Sequence, residues 1–334
     1  MRRFMMIAVG LCLAALAPQP SGAQTLEKVK MTIAARGMNY APYFVPIPKG
    51  YFKEEGFDVE IVDAGGGIGT PAQISGEIDF MTSASSALSA MLRGAQLRIV
   101  YYPWDKTIYQ VWAIAPEIKT LQDVKGKTIG IQTRGDTFEL GMRIALVNAG
   151  IDPNSVSYSA VGINNARRAA IAAGSLPVVV ITPEDVEWLK TTNQIKTSHL
   201  LFDMYPSIGM PLAGTTVRVS DLEKDRNRIK RFIRAVHKGF QYSIAFRKET
   251  VDIVSAFVKN TDRASIDSSY VDTMRTRTEN GTISEALQRQ ETDLRAELIK
   301  FPKDKIPPLD KLYDFSLARE AWDELKAQGW KPTK

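Results

Sequence analysis

The sequence predicts an α/β protein built as two units, each a largely parallel sheet with helices on both faces. Three observations predict it. Strand-like and helix-like patterns alternate from Val29 to Val219, joined by short turns, and such alternation folds into parallel sheets covered by helices. Two threonine–proline pairs, Thr70-Pro71 and Thr182-Pro183, stand where helices are expected to start, one in each half; threonine caps a helix, and proline at the first helical position gives up no needed N–H. Glycine- and hydroxyl-rich loops fall at the carboxyl ends of strands, where open α/β sheets bind ligands. The 334 residues, 44% apolar and 24% charged, suit a globular chain, and the length suits two cores better than one.

Met1 to Ala23 reads as a leader outside the fold: basic Arg2-Arg3, an apolar run from Phe4 to Ala17, and a small-residue cleavage site at Ser21-Gly22-Ala23. A membrane anchor is the alternative, but the run is short against the roughly 20 residues a spanning helix needs. Leu11 before Cys12 does not suit a lipoprotein cut, which wants a small residue there. Cys12 is the sole cysteine, so a mature chain from Gln24 is expected to hold no disulfide, which fits an oxidising compartment. Loss of Arg2 and Arg3 lowers the net charge from +6 to +4, and the bases gather in C-terminal helices without interleaved aromatics, which argues against nucleic acid as a partner.

In the first half, Val29 to Arg36 is a strand ending at Gly37-Met38-Asn39-Tyr40, and a short helix near Ala41 is expected to break at Pro46 and Pro48. Phe57, Val59 and Ile61 alternate with acids, the period of a strand with one buried face. Gly65-Gly66-Gly67 lets a ligand approach the main chain, and Thr70-Pro71 is the expected helix start. A strand at Ile78–Thr82 leads to a second helix start at Ser83 to Ser86, running to Gly94, before a strand at Leu97–Tyr102. Tyr101 and Tyr102 read as sheet packing; Trp104 and Asp105 fit either the cleft wall or the packing of a hinge.

In the second half, strands are expected at Lys127–Gln132, Ser155–Val161 and Pro177–Ile181, with helices at Phe138–Ala149, at Asn165–Ala173 and after Thr182, where Asp185 completes a capping box. The crossings between units are placed in the strands Ile108–Ala115 and Pro211–Val219, near Ala113 and Gly214. From Ser220 the chain is helical, opened by a capping box at Ser220–Glu223, with Ile229, Phe232, Ile233, Val236, Phe240 and Ile244 at helix spacing. Lys230, Arg231, Arg234, Lys238 and Arg247 read as a solvated face, with a docking surface as the alternative.

Catalytic chemistry finds little support. His199 and His237 are the only histidines, and each sits in a structural pattern. No HExxH or aspartate cluster suggests a metal, Gly65–Gly69 lacks the lysine and hydroxyl of a phosphate loop, and Ser83, Ser85 and Ser86 have no positioned histidine.

The runs YAPYFVPIPKGYFKEEGFDVEIVDAGGG, ISGEIDFMTSASSALSAMLRGAQLRIV and LQDVKGKTIGIQTRGDTFELGMRIALVNAGIDPNSVSY resemble, in order and spacing, the substrate-binding proteins of ATP-driven (ABC) importers for nitrate, sulfonates, taurine and thiamine-pyrimidine precursors. The resemblance implies a type II periplasmic binding protein: two α/β lobes joined by two crossover strands, with the ligand cleft between them. Lobe one would comprise residues 24–113 and 214–334, lobe two residues 114–213. Carried over position by position, the pocket residues are Asn39, Tyr40, Gly66, Gly67, Thr70, Ser83, Ala84 and Ser85 from lobe one, with Arg134, Gly135, Asp136, Thr137, Thr182 and Glu184 from lobe two. The PIPK at Pro46–Lys49 departs from the continuous helix usual in the family. The implied protein is a periplasmic monomer without cofactor or metal that delivers a small molecule to permease subunits. An enzyme of the thiamine-pyrimidine synthase type is the alternative, but its cysteine-rich motif has no counterpart here. For the ligand, helix starts with Arg134 or Arg36 favour a carboxylate or sulfonate, whereas Asp136, Glu184 and Asp185, if they face the cleft, favour an amine or an aminopyrimidine.

Overall fold

The computed structural model describes residues 25–192, 198–205, 207–258 and 262–334. The expected leader, residues 1–23 with Arg2, Arg3 and Cys12, lies outside the described residues. The strands are β1 (Glu27–Ile33), β2 (Phe57–Asp63), β3 (Leu97–Tyr101), β4 (Gln110–Ala113), β5 (Thr128–Ile131), β6 (Ser157–Ala160), β7 (Val178–Ile181), β8 (His199–Asp203) and β9 (Thr215–Arg218).

They form two sheets. In the first, β1 and β2 pair in parallel, from Glu27 beside Phe57 to Ile33 beside Asp63, and β3 pairs antiparallel with β9. The strand expected at Ile78–Thr82 shrinks to two bridges that join these pairs, Phe80 beside Met31 and Met81 against Thr216. The second sheet has the order β6-β5-β7-β4-β8, with β5 parallel to β6 and β7, and β4 antiparallel to both its neighbours. All four residues of β7, Val178 to Ile181, are buried, as a strand covered on both faces requires. β4, Gln110–Ala113, lies within this sheet, between β7 and β8.

The first unit carries α1 (Ala41–Phe44) and α2 (Tyr51–Glu54), separated by the interruption at Pro46 and Pro48, then α3 (Gly66–Ser75) and α4 (Ala84–Leu92). The second carries α5 (Thr137–Asn148), α6 (Asn164–Ala172) and α7 (Pro183–Thr191). The C-terminal helices are α8 (Val219–Lys224), α9 (Arg226–Ala245), α10 (Arg247–Phe257), α11 (Arg263–Met274), α12 (Glu285–Leu298) and α13 (Ser316–Ala327). Ser220 does not open α8: the helix starts at Val219, and Arg218 holds Asp221 at 2.7 Å.

α9 runs through the first core. Ile229, Phe232, Ile233, Val236 and Phe240 are buried, and the Phe232 ring stacks on Phe80 at 3.6 Å. Its bases are not a loose solvated face. Arg234 grips Glu55 and Glu324, Lys238 holds Glu54 at 2.9 Å and Glu55 at 3.0 Å, and Lys230 holds Glu324 at 2.6 Å. These pairs tie α9 to α2 and α13. Elsewhere, α11 packs on α7 and α12 on α4 and α5, so C-terminal helices touch both units.

His237, on the same helix, is fully buried, with Nε2 at 3.1 Å from the Ala318 carbonyl and its ring edge-on to Tyr101. Burial pushes its pKa down to about 4. The folded value lies below the unfolded 6.5, so the unfolded chain takes the proton first. Stability is therefore lost as pH falls from 6.5 towards 4, by about 3 kcal/mol. Asp136, raised to about 6, pulls the other way over the same range. The expected result is that His237→Gln flattens the acid limb of urea-unfolding stability relative to the wild type; parallel pH profiles would contradict it.

Candidate functional site

Between the two sheets lies a cavity of about 560 Å³. Four helix starts converge on it: Gly65 to Gly67 of α3, Ser83 to Ser86 of α4, Asp136 to Phe138 of α5, and Thr182 of α7.

On the first rim, α3 begins earlier than the threonine–proline pair suggests. Its N-cap is Gly65, and Thr70 and Pro71 lie inside the helix. Proline has no N–H, so the carbonyl of Gly67, four residues back, cannot receive the bond that residue 71 would normally give. Gly66 allows the start of α3 to lie against the start of α4: a Cβ there would sit 2.1 Å from Ser86 Cβ. Neither helix has a side-chain cap, since Gly65 has no side chain and Ser83 makes no cap bond. Ser83 Oγ is enclosed and faces the Tyr40 hydroxyl. At α4 the Ala84 N–H already donates to the Gly214 carbonyl at 3.1 Å; the N–H groups of Gly66, Gly67 and Ser85 are left for another acceptor. Ser85 is differently placed, donating its proton to Glu291 of α12.

The second rim is already capped. Gly135 takes a left-handed conformation, with φ at +75°, that turns the chain into α5. Asp136 then caps the helix, accepting from Phe138 N at 2.9 Å and Glu139 N at 3.1 Å, and also from Thr133 N at 2.8 Å. Burial raises its pKa to about 6 against the pull of those bonds. Thr182 and Asp185 form the expected capping box on α7, and Asp185 is buried between Arg167 at 2.6 Å and Arg168 at 2.9 Å. Tyr109 closes the wall, its hydroxyl 3.2 Å from Thr137 Oγ1 and its ring 4.0 Å from that of Phe138.

Of the residues expected in the pocket, Asn39, Tyr40, Gly66, Gly67, Thr70, Ser83, Ala84, Ser85, Arg134, Gly135, Asp136, Thr137 and Thr182 line this cavity. Glu184 does not line it. Its carboxylate reaches from α7 to the first unit and accepts the Met38 N–H at 3.0 Å. Arg134 lines the mouth but is turned along Tyr158, donating to that residue's carbonyl at 3.1 Å and lying 3.4 Å from Glu139. Arg36 lies away from the cavity, paired with Asp63. Trp104 does not line the cavity: fully buried, it donates from Nε1 to the Asn39 carbonyl at 2.7 Å. Tyr109, Gln132 and Phe138 line the cavity without having been singled out in the sequence. Strand and helix periodicity buries them but does not say against what. Among the described residues, no group of three or more histidine, cysteine or acidic side chains could hold a metal, and no helix is long and apolar enough to cross a membrane.

The family model described as NMT1/THI5 like matches residues 37–250. The riboflavin-binding protein RibY of Chloroflexus aurantiacus is 24% identical over 261 residues, 72% of this chain and 70% of that one. A solved protein of Bordetella bronchiseptica RB50 superposes with a TM-score of 0.76 at 20% identity, over 90% of this chain and 98% of the other. The periplasmic aliphatic sulphonate binding protein SsuA of Escherichia coli gives 0.68 at 16% identity, over 85% and 91%. With two α/β sheets, a cleft ringed by helix starts, and a family match running from the first rim into the C-terminal helices, the chain belongs to the NMT1/THI5-like family and has the periplasmic binding protein fold.

Proposed function

We propose that the chain is an extracytoplasmic receptor, exported by a cleaved leader, that captures a small organic anion, a carboxylate or sulfonate, and hands it to the permease of an ABC importer. The observation that carries the ligand class is the asymmetry of the rims. The two helix starts on the first rim have no side-chain cap, each start being able to stabilise an anion by about 0.3–2 kcal/mol. Although the Ala84 N–H already donates to the Gly214 carbonyl, the N–H groups of Gly66, Gly67 and Ser85 face no such partner among the described residues. On the second rim Asp136 caps α5 and Asp185 closes the capping box with Thr182. The acids that would favour an amine are thus engaged as caps or, for Glu184, with Met38. Tyr40, Tyr109 and Phe138 give the apolar body of the ligand a wall. The names of RibY and SsuA fit a receptor, and no side-chain arrangement described above calls for an enzyme.

Calorimetric titration against aliphatic and aromatic carboxylates, sulfonates, nitrate, aminopyrimidines and riboflavin tests this reading. The expected result is binding of a carboxylate or sulfonate, weakened less than tenfold in Arg134→Ala, because an exposed arginine at the mouth steers more than it holds. Binding confined to the aminopyrimidines or riboflavin would overturn the anion.

A further inference from the structure

Beneath the cleft, α12 carries a buried acid and a buried base one turn apart. Glu291 belongs with the first unit: it accepts from Ser85, from Tyr102 at 2.9 Å and from Tyr313 at 3.1 Å. Arg295 reaches the other way. It is 0% exposed, and its Nη1 donates to the carbonyl of Gly135, in the loop that opens α5. Its Nε and Nη2 are enclosed without any hydrogen-bond partner. One turn further on, Ile299 lines the cavity itself.

We propose that Arg295 is a positioning residue of the cleft that holds the empty protein open, because closing strips water from a guanidinium to which the protein offers a single acceptor. A buried charge with incomplete partners costs more to desolvate than its contacts return, and each buried N–H without an acceptor adds to that cost. Arginine cannot escape by losing its proton. Glu291 and Asp136 favour the charge, yet burial outweighs them and holds the Arg295 pKa below its usual value. Parting the units carries Gly135 away from α12 and lets water replace it; closing again becomes favourable when ligand binding supplies the difference. Arg295 thereby sets how tightly a ligand must bind before the cleft shuts.

The test is small-angle scattering of the full mature chain without ligand. In Arg295→Met the radius of gyration is expected to fall relative to the wild type. Arg295→Gln, neutral and able to keep the Gly135 bond, is expected to do the same and serves if the Met variant does not fold. Arg295→Lys, which keeps the cation, is expected to stay as open as the wild type at pH 7. An unchanged or larger radius in the neutral variants overturns the proposal, as does a Lys variant that closes as far as they do. A lower melting temperature with no change in radius marks a merely structural role and also overturns it. The inference rests on the receptor reading above, but the scattering uses no ligand, so its failure and a failure of the titration are told apart.

Discussion

Asp185→Ala is expected to lower the stability of the protein by about 3–5 kcal/mol, the usual cost of removing one partner from a buried ion pair. Asp185, Arg167 and Arg168 are all nearly inaccessible, and both guanidinium groups converge on the one carboxylate at 2.6 and 2.9 Å. Burial alone would raise the pKa of Asp185, but the two arginines more than offset it and hold it below the ordinary carboxylate value. Removing the acid leaves two cations enclosed without the carboxylate they share, while bonds such as those to Gln132 and the Glu184 carbonyl remain. It also removes half of the capping box of α7, whose start lines the cavity. Urea denaturation measures the effect through the midpoint. A loss below about 1 kcal/mol, the range of an exposed pair, would mean that the arginines find water instead.

Gly66→Ala is expected to leave the fold intact and cut ligand affinity at least tenfold, about 1.4 kcal/mol. The added carbon would fall 2.1 Å from Ser86 Cβ and 2.6 Å from Ser86 Oγ, so the starts of α3 and α4 must move apart. Both starts line the first rim, and oriented N–H groups lose their hold when displaced. Ser86→Gly in the same chain removes the obstructing atoms, and the double variant is expected to regain most of the affinity. Titration of both variants with the tightest-binding anion from the panel decides the matter; a single variant that binds like the wild type refutes the close-packed rim.

The rim loops are legible in the sequence because their signals are local. Glycines, hydroxyls and the change of period from strand to helix mark Gly65–Gly67, Ser83–Ser86 and Thr182 directly. The threonine–proline pair at Thr70-Pro71 misleads for a physical reason: three glycines upstream let α3 begin sooner, and the helix absorbs a proline one turn in. The roles of Glu184 and Arg134 depend on which neighbour is nearer after folding, Met38 or the cavity in one case, Glu139 or a ligand in the other. Glu291 and Arg295 carry no signal at all. An acid and a base four residues apart on a helix read as a solvated pair, and only the packing of α12 beneath the cleft buries them. The basic side of α9 hides its partners in the same way, because Glu55 and Glu324 lie far away along the chain.

The pairing of β3 with β9 has a consequence for the life of the chain before it is folded. As the protein is made from its N-terminus, β3 emerges early but meets β9 only after the whole second sheet has been synthesised, and its contact with Tyr313 comes later still. The second sheet closes over shorter loops and so has the smaller entropy to overcome. Until then Leu97, Ile99, Val100 and Tyr101 form an apolar segment with both edges open, the kind of segment that joins to other chains. Arg98, alone in β3 in carrying charge, interrupts that apolar run, the device by which charged side chains keep an open strand edge from joining to other chains.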